Sequence, residues 1–318
     1  MYIIDSHCDL LSKMLLDPLV DFNQIQTDIA VNLPRLQHVN MALQFFAIYI
    51  PEKVDGSRFE PILACIDLFY RKIAANPAMA FIQDLDDLES ALRENKIGAL
   101  LTLEGVEGLA GNMQNLRIAY YLGVRIIGIT WNHANWAADG VMEPRNGGFS
   151  SKGKKFVKEC NRLGILLDVS HLAETGFWQL MEMANNPVLA SHSNVFELCS
   201  HPRNLSNKQI KAMIEKNGMI GLTFVPWFIQ SKNPKISDLL RHIDHVCALG
   251  GENHLGFGSD FDGMETFVPN LEHVGHYDYL RNELSKKYAA NLVEKFLYGN
   301  WLSFLKNSLH PKSRFFNE

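Results

Sequence analysis

Six residues of metal-ligating or proton-carrying type stand at the ends of apolar runs in this sequence: His7, Asp9, Glu104, His171, His192 and Asp260. His7 and Asp9 lie two positions apart on a run that reads as extended. Their side chains therefore project the same way, with Cys8 opposite. An imidazole and a carboxylate aimed together suit zinc or a similar divalent cation. Ile97–Leu103 carries no charge before it reaches Glu104, and a carboxylate closing a buried run needs a compensating partner. Glu107, three positions on, lies in the following loop and is the weaker candidate. Ile165–Ser170 leads to His171, and Val188–Ser191 leads to His192. Asp168 has the opposite facing from His171 and reads as structural. Leu255–Ser259 leads to Asp260; Asp262 lies further out, and Asp262-Gly263 reads as a turn.

Any one of these residues has an ordinary explanation, such as a hydrogen-bonded core histidine, a helix-capping glutamate or a turn aspartate. The full set is better explained by two cations sharing one carboxylate. Such a pair lowers the pKa of a bridging water and polarises a carbonyl, while a further carboxylate, Asp260, moves protons. That equipment serves hydrolysis rather than hydride transfer. No nucleophilic Ser/His/Asp arrangement is evident, and Gly147-Gly148 is a loop pair rather than a phosphate cradle.

The elements that must position these residues recur along the chain. Apolar runs at Tyr2–Asp9, Val39–Ile50, Ile97–Gly105, Arg125–Asn132, Gly164–His171, Pro187–Asn194, Gly218–Pro226 and His254–Gly263 read as strands. Near-continuous apolarity suits strands buried on both faces of a parallel sheet. Pro61–Ala75, Asn112–Leu122, Ser151–Leu163, Thr175–Asn185 and Ser206–Lys216 read as helices between them. Eight strand–helix units over about 260 residues predict a closed (β/α)8 TIM barrel, with its chemistry at the C-terminal ends of the strands. An open doubly wound sheet is the alternative, weakened by the lack of a Gly-rich loop after the first strand. Tyr277–Leu309 reads as one or two amphipathic helices closing the structure. Residues 1–318 are expected to form one barrel domain with this helical extension.

Composition narrows the function further. The chain has 318 residues, 47% of them hydrophobic, with a formal net charge of −5. No basic run invites nucleic acid or an acidic membrane surface. No stretch approaches the roughly 18 apolar residues of a membrane span, and the first residues do not read as a signal peptide. The five cysteines are scattered, without a C-x-x-C pair, so reduced thiols and a cytoplasmic location are expected.

The segments Asp5-Ser6-His7-Cys8-Asp9, Glu104-Gly105, Asp168-Val169-Ser170-His171, Ser191-His192-Ser193, Arg203-Asn204 and Gly258-Ser259-Asp260-Phe261-Asp262-Gly263 together resemble the membrane (renal) dipeptidase family, peptidase family M19, of the amidohydrolase superfamily. The resemblance runs from residue 3 to about residue 300. It implies a barrel with two zinc ions, in a homodimer, hydrolysing dipeptides and tolerating a D-residue at their C-terminal position. It further implies that His7 and Asp9 bind one zinc, that His171 and His192 bind the other, and that Glu104 bridges. Asp260 matches the family's proton-transfer aspartate, and Arg203 an arginine that meets the bound dipeptide. His192 follows His171 by 21 positions and Arg203 follows His192 by 11, both in keeping with the family. Asn204 is a candidate helper of Arg203 in pairing with a substrate carboxylate.

One position departs from the pattern. Mammalian members carry a substrate-contacting histidine directly after a threonine at the end of the fourth strand; here Trp131 follows Thr130, and His133 is the candidate stand-in. The mammalian signal peptide and C-terminal hydrophobic tail are also not matched. Phe224, Trp227 and Phe228 are candidates for a substrate side-chain pocket. Competing readings are a lactonase, deaminase or phosphotriesterase on the same barrel, or a catalytically silent metal-binding protein. Deaminases of this superfamily usually show H-x-H on the first strand, against the H-x-D found here. Manganese or cobalt would fit the same ligands as zinc.

Overall fold

The computed structural model describes residues 1–51, 53–54 and 58–311. Nine strands run through it: β1 (Ile3–Asp5), β2 (Met41–Tyr49), β3 (Met79–Ile82), β4 (Ile97–Glu104), β5 (Val124–Gly128), β6 (Leu166–Asp168), β7 (Leu189–Ala190), β8 (Met219–Leu222) and β9 (Leu255–Phe257). All pairings between them are parallel. The order is β2-β1-β9-β8-β7-β6-β5-β4, and a β2–β4 pairing closes the ring. This is the expected TIM barrel; seven of its eight staves lie inside expected runs, and β5 begins one residue before its own, at Val124. The ninth strand, β3, was not anticipated. It pairs with Ile97–Leu100 of β4, while β5 pairs with Leu101–Glu104 of the same strand. Four residues flanked by turns are too short for alternation to announce a strand.

Both faces of the barrel strands are buried, and alternate residues separate into two cores. Ile4, Phe45, Leu100, Ile126, Leu166 and Leu189 belong to one cluster, together with Trp301 of the final helix. Their neighbours Ile3, Phe46, Leu101, Ile127, Leu167 and Ala190 join the larger cluster with the surrounding helices. The period of two thus survives inside near-continuous apolar runs, as a parallel barrel requires. Trp301 Nε1 donates to Phe257 O at 3.2 Å, which fixes the C-terminal helix against β9.

Ser151–Leu163 is helical as expected, capped by Ser150 Oγ and ended by Gly164 at φ +73°. In Asn207–Glu215 a capping box joins Ser206 and Gln209. The helix expected over Pro61–Ala75 is Glu60–Leu68 followed by a wider π-type turn, Phe69–Ala74. After β9 come Tyr277–Lys287 and a second helical stretch ending in Asn300–Ser308. No helix among the described residues is long and apolar enough to cross a membrane.

The strands stop earlier than their apolar runs. The run expected to β6's end at His171 is a strand only over Leu166–Asp168. Asp168 Oδ1 accepts from Ser170 N at 2.8 Å, an Asx turn that takes the chain out of the sheet. His171 then sits at φ +67°, as does Asp260 beyond β9. Strand alternation therefore does not set the direction of these two side chains; a left-handed turn does. Beyond β1, Cys8 still bridges to Phe261 in parallel before the chain turns into a helix at Asp9, and His7 Nε2 lies 3.5 Å from Asp9 Oδ2, so the two side chains meet as expected.

Candidate metal centre

Closure of the barrel brings all six candidate residues to one place. Glu104 lies at its centre. Its Oε1 is 2.8 Å from His171 Nε2 and 3.8 Å from His192 Nε2. Its Oε2 is 3.3 Å from His7 Nε2, which in turn lies 3.5 Å from Asp9 Oδ2 and 3.8 Å from Asp260 Oδ1. Three groups of ligand atoms lie within 4.8 Å of one another: His7, Asp9 and Glu104; Glu104, His171 and His192; and His7, His192 and Asp260. One carboxylate therefore faces two sets of ligands, one oxygen to each.

The neighbouring side chains decide which imidazole nitrogens are free. Asp168 Oδ2 accepts a short hydrogen bond from Ser191 Oγ. With its proton committed there, Ser191 Oγ accepts from His192 Nδ1 at 2.7 Å. His171 Nδ1 faces Asn132 Oδ1 at 2.8 Å, an acceptor, so it carries the proton. Both histidines then present bare Nε2 lone pairs, and these two atoms are 2.9 Å apart. Asp5 supports the other half: its Oδ1 accepts from Ser259 N at 2.8 Å and its Oδ2 from Ser259 Oγ at 2.6 Å, which ties the end of β1 to the end of β9. Gly263 is required by close approach, since a β-carbon there would lie 2.3 Å from Asp9 Oδ2 and 2.6 Å from Asp260 Oδ1.

This arrangement fits cations. Two imidazole lone pairs and a carboxylate oxygen converge at His171, His192 and Glu104 with only acceptors facing one another. His7 Nε2 and Asp9 Oδ1 are buried without a hydrogen-bond partner among the described residues, a costly state unless a ligand satisfies them. Burial lowers His171 to about 4, helped by the Arg203 charge, and lowers His192 well below the usual histidine range, helped by His7. Both are therefore neutral imidazoles at pH 7, the form able to coordinate a cation. Burial opposes ionisation of Glu104, yet the charge of His7 holds it well below the usual carboxylate range. Asp260 is pushed up to about 8 by burial and by the charges of Asp9 and Glu104, against the pull of His7 and Arg203. A cation held beside Asp9 and Glu104 would favour its ionised form, the form that can accept a proton.

Two cavities open onto the cluster from different sides. One, of about 400 Å³, is lined by His171, Ser193 and Arg203. Arg203 is 3% exposed and donates from Nη2 to His192 O at 3.1 Å, but its Nε has no partner. No carboxylate forms an ion pair with it among the described residues. Burial brings its pKa down to about 10 despite the attraction of Asp260, Glu104 and Asp168. The other cavity, of about 340 Å³, reaches Glu104 and is lined by Tyr49, Trp131 and His133.

The remaining candidates are placed differently. Asn204 Oδ1 accepts from Asn194 N, and its Nδ2 donates to Cys199 O and Phe228 O, both at 2.8 Å. Both amide hydrogens are spent, so Asn204 braces the loop and has no donor left for a substrate carboxylate. His133 is exposed at the rim of the second cavity. Its neighbour Trp131 stacks between Tyr49 and His171, with ring centroids 5.3 and 6.2 Å away. Asp262 turns away from the cluster, accepting from Ala30 N and Val31 N. Of the three aromatics after β8, Phe228 lies under the Arg203 guanidinium at 5.4 Å, Phe224 packs in the core against Phe257 and Phe261, and Trp227 is exposed. Asn132 and Ser191, which orient the histidines, were not singled out by the sequence reading; Ser191 directly precedes His192, but Asn132 lies 39 positions from His171 and only the fold pairs them.

Comparison with known proteins gives a consistent picture. A family model described as membrane dipeptidase, peptidase family M19, matches residues 1–313. A Klebsiella pneumoniae protein described as the uncharacterized protein in the pqqA 5′ region is 36% identical over 228 residues, 68% of this chain and 84% of its own. The crystal structure of the dipeptidase AC, a metallo peptidase of family M19, superposes with a TM-score of 0.91 at 27% identity, over 98% of this chain and 99% of the other. A Rhodobacter sphaeroides metallo peptidase, crystallised with a phosphinate mimic of the dipeptide L-Ala-D-Ala, gives 0.89 at 26% identity, over 97% and 99%.

Proposed function

The chain belongs to the membrane dipeptidase family, peptidase family M19, and from that premise we propose that its barrel mouth is a two-cation centre cleaving dipeptides, including those with a D-residue at the C-terminal position. As a member it is a metallo-dipeptidase acting on small peptides. The observation that carries the finer reading is Glu104, whose two oxygens face separate ligand sets. His7 and Asp9 would hold one cation, His171 and His192 the other, with Glu104 shared. Zinc suits this mixture of imidazole and carboxylate. When bound, such a pair lowers the pKa of a water held between them and polarises the scissile carbonyl.

The protein's own groups do the rest. Arg203 receives the C-terminal carboxylate of the substrate, the planar fork satisfying a buried charge that has no ion-pair partner among the described residues. That requirement favours dipeptides over proteins. Asp260 accepts the proton of the attacking water at its carboxylate and returns it to the leaving amine nitrogen. Asn132 and Ser191 keep the two histidines in the Nδ1–H tautomer. Trp131 walls the scissile region from the side where His133 stands at the rim. Tolerance of a D-residue is supported by the L-Ala-D-Ala mimic bound to the Rhodobacter relative. A reducing, cytoplasmic setting is supported by the five cysteines, all unpaired, and a homodimer by the family resemblance.

The test is metal analysis combined with hydrolysis of L-Ala-L-Ala and L-Ala-D-Ala. Zinc-loaded enzyme is expected to hold two ions per chain and to cleave both, and Glu104→Gln to lose at least one ion with its activity. Retention of both ions by that variant would refute the bridging role.

A further inference from the structure

The Arg203 cavity is lined by charges of opposite sign. The positive one is the Arg203 guanidinium, nearly inaccessible, with Nε unpartnered among the described residues. The lining also includes two carboxylates, Glu143 and Glu174, the first half-buried and the second exposed. Neither forms an ion pair among the described residues. Arg145, the basic residue nearest Glu143 in sequence, is held in a fork by Asp139 at 2.9 and 2.7 Å. Among the described residues the Glu174 carboxylate meets the Trp178 indole N–H, at 3.5 Å. The same walls include the apolar side chains Val169, Leu172 and Leu205.

A ligand that satisfies every part of this cavity carries an anion at one point, an aliphatic stem and a cation at its tip. We propose that the cavity selects dipeptides whose C-terminal residue is basic, lysine or arginine, with Glu143 and Glu174 receiving the side-chain cation. The inference rests on the dipeptidase reading, in which Arg203 takes the α-carboxylate of that same residue. The stem of lysine or arginine lies along the apolar wall as such side chains commonly do. A C-terminal glutamate would place a third carboxylate beside the first two and is disfavoured.

The experiment compares kcat/KM for Ala-Lys, Ala-norleucine and Ala-Glu, in whichever C-terminal configuration Ala-Ala is cleaved. Norleucine keeps the stem and removes the charge. The expected order is Lys, norleucine, Glu, with Lys at least about tenfold above norleucine and the advantage shrinking as salt is raised. In Glu143→Gln/Glu174→Gln the ratio of Lys to norleucine is expected to fall to near one. Cleavage of all three without a preference for Lys, or a preference that survives both substitutions and high salt, overturns the inference and leaves the dipeptidase reading standing. Cleavage of none overturns both.

Discussion

Arg203→Met separates what the arginine does for function from what it costs the fold. Burial brings Arg203 down to about 10, and the drop from its usual range corresponds to about 3 kcal/mol at ~1.4 kcal/mol per tenfold change. The sign follows from protonation: at pH 7 the guanidinium is charged both folded and unfolded. Its folded-state pKa is depressed, so the penalty is present in full below pH ~10 and is relieved only above it. Methionine keeps an unbranched stem and removes the charge. It also forfeits the hydrogen bond to His192 O, 3.1 Å long, valued at roughly 1.5 kcal/mol for a long contact from a charged donor. The net expectation is a gain of about 1–2 kcal/mol, a few degrees in Tm for a chain of this size, on the order of 2–4 °C per kcal/mol or less. Function moves the other way. Loss of a forked, charge-assisted contact of about 3 kcal/mol lowers kcat/KM on a free-acid dipeptide on the order of a hundredfold. A C-terminally amidated dipeptide, which lacks the carboxylate, should lose little. Thermal unfolding and paired kinetics on the metal-loaded enzyme measure both halves. A Tm lowered by several degrees would refute the burial argument, and equal losses on acid and amide would refute the carboxylate assignment.

Asp260→Asn is expected to keep its metal by elemental analysis while kcat falls about 10²- to 10⁴-fold; near-normal turnover removes the proton-carrier role. Ser191→Ala breaks the link from Asp168 to His192 Nδ1 and should weaken metal affinity about 10- to 100-fold in chelator competition, whereas unchanged affinity would reduce Ser191 to packing. His242 accepts from Val195 N at Nδ1 and donates from Nε2 to Ile229 O, and burial lowers its pKa to about 4 from 6.5. The unfolded chain therefore binds more protons between those values. Its contribution is complete above pH 6.5 and about 3 kcal/mol is lost as pH falls to 4. Denaturant unfolding across that range should show a shallower slope for His242→Asn, and coincident slopes would count against it.

Much of this protein could be read from residue order. Eight apolar runs without a phosphate loop implied a barrel, because parallel strands buried on both faces need apolar side chains at nearly every position. The ligand types at the ends of those runs, His7 and Asp9 foremost, were legible because an extended chain aims alternate side chains together. Other features depend on distant segments meeting. β3 is a four-residue strand recognisable only by its partner, β4. His171 and Asp260 reach the cluster through left-handed turns, which no strand periodicity reports. Asn204 has the residue type of a carboxylate partner, but the fold spends its amide on two backbone carbonyls. The ligand types and the family motif were thus determined by the sequence alone. Which lone pairs face which, and which charges are left without partners, was decided by barrel closure, because Asn132 with His171, Asp168 with Ser191, and Arg203 with no counter-ion among the described residues are relations between chain segments that only the folded ring brings within hydrogen-bonding distance or keeps apart.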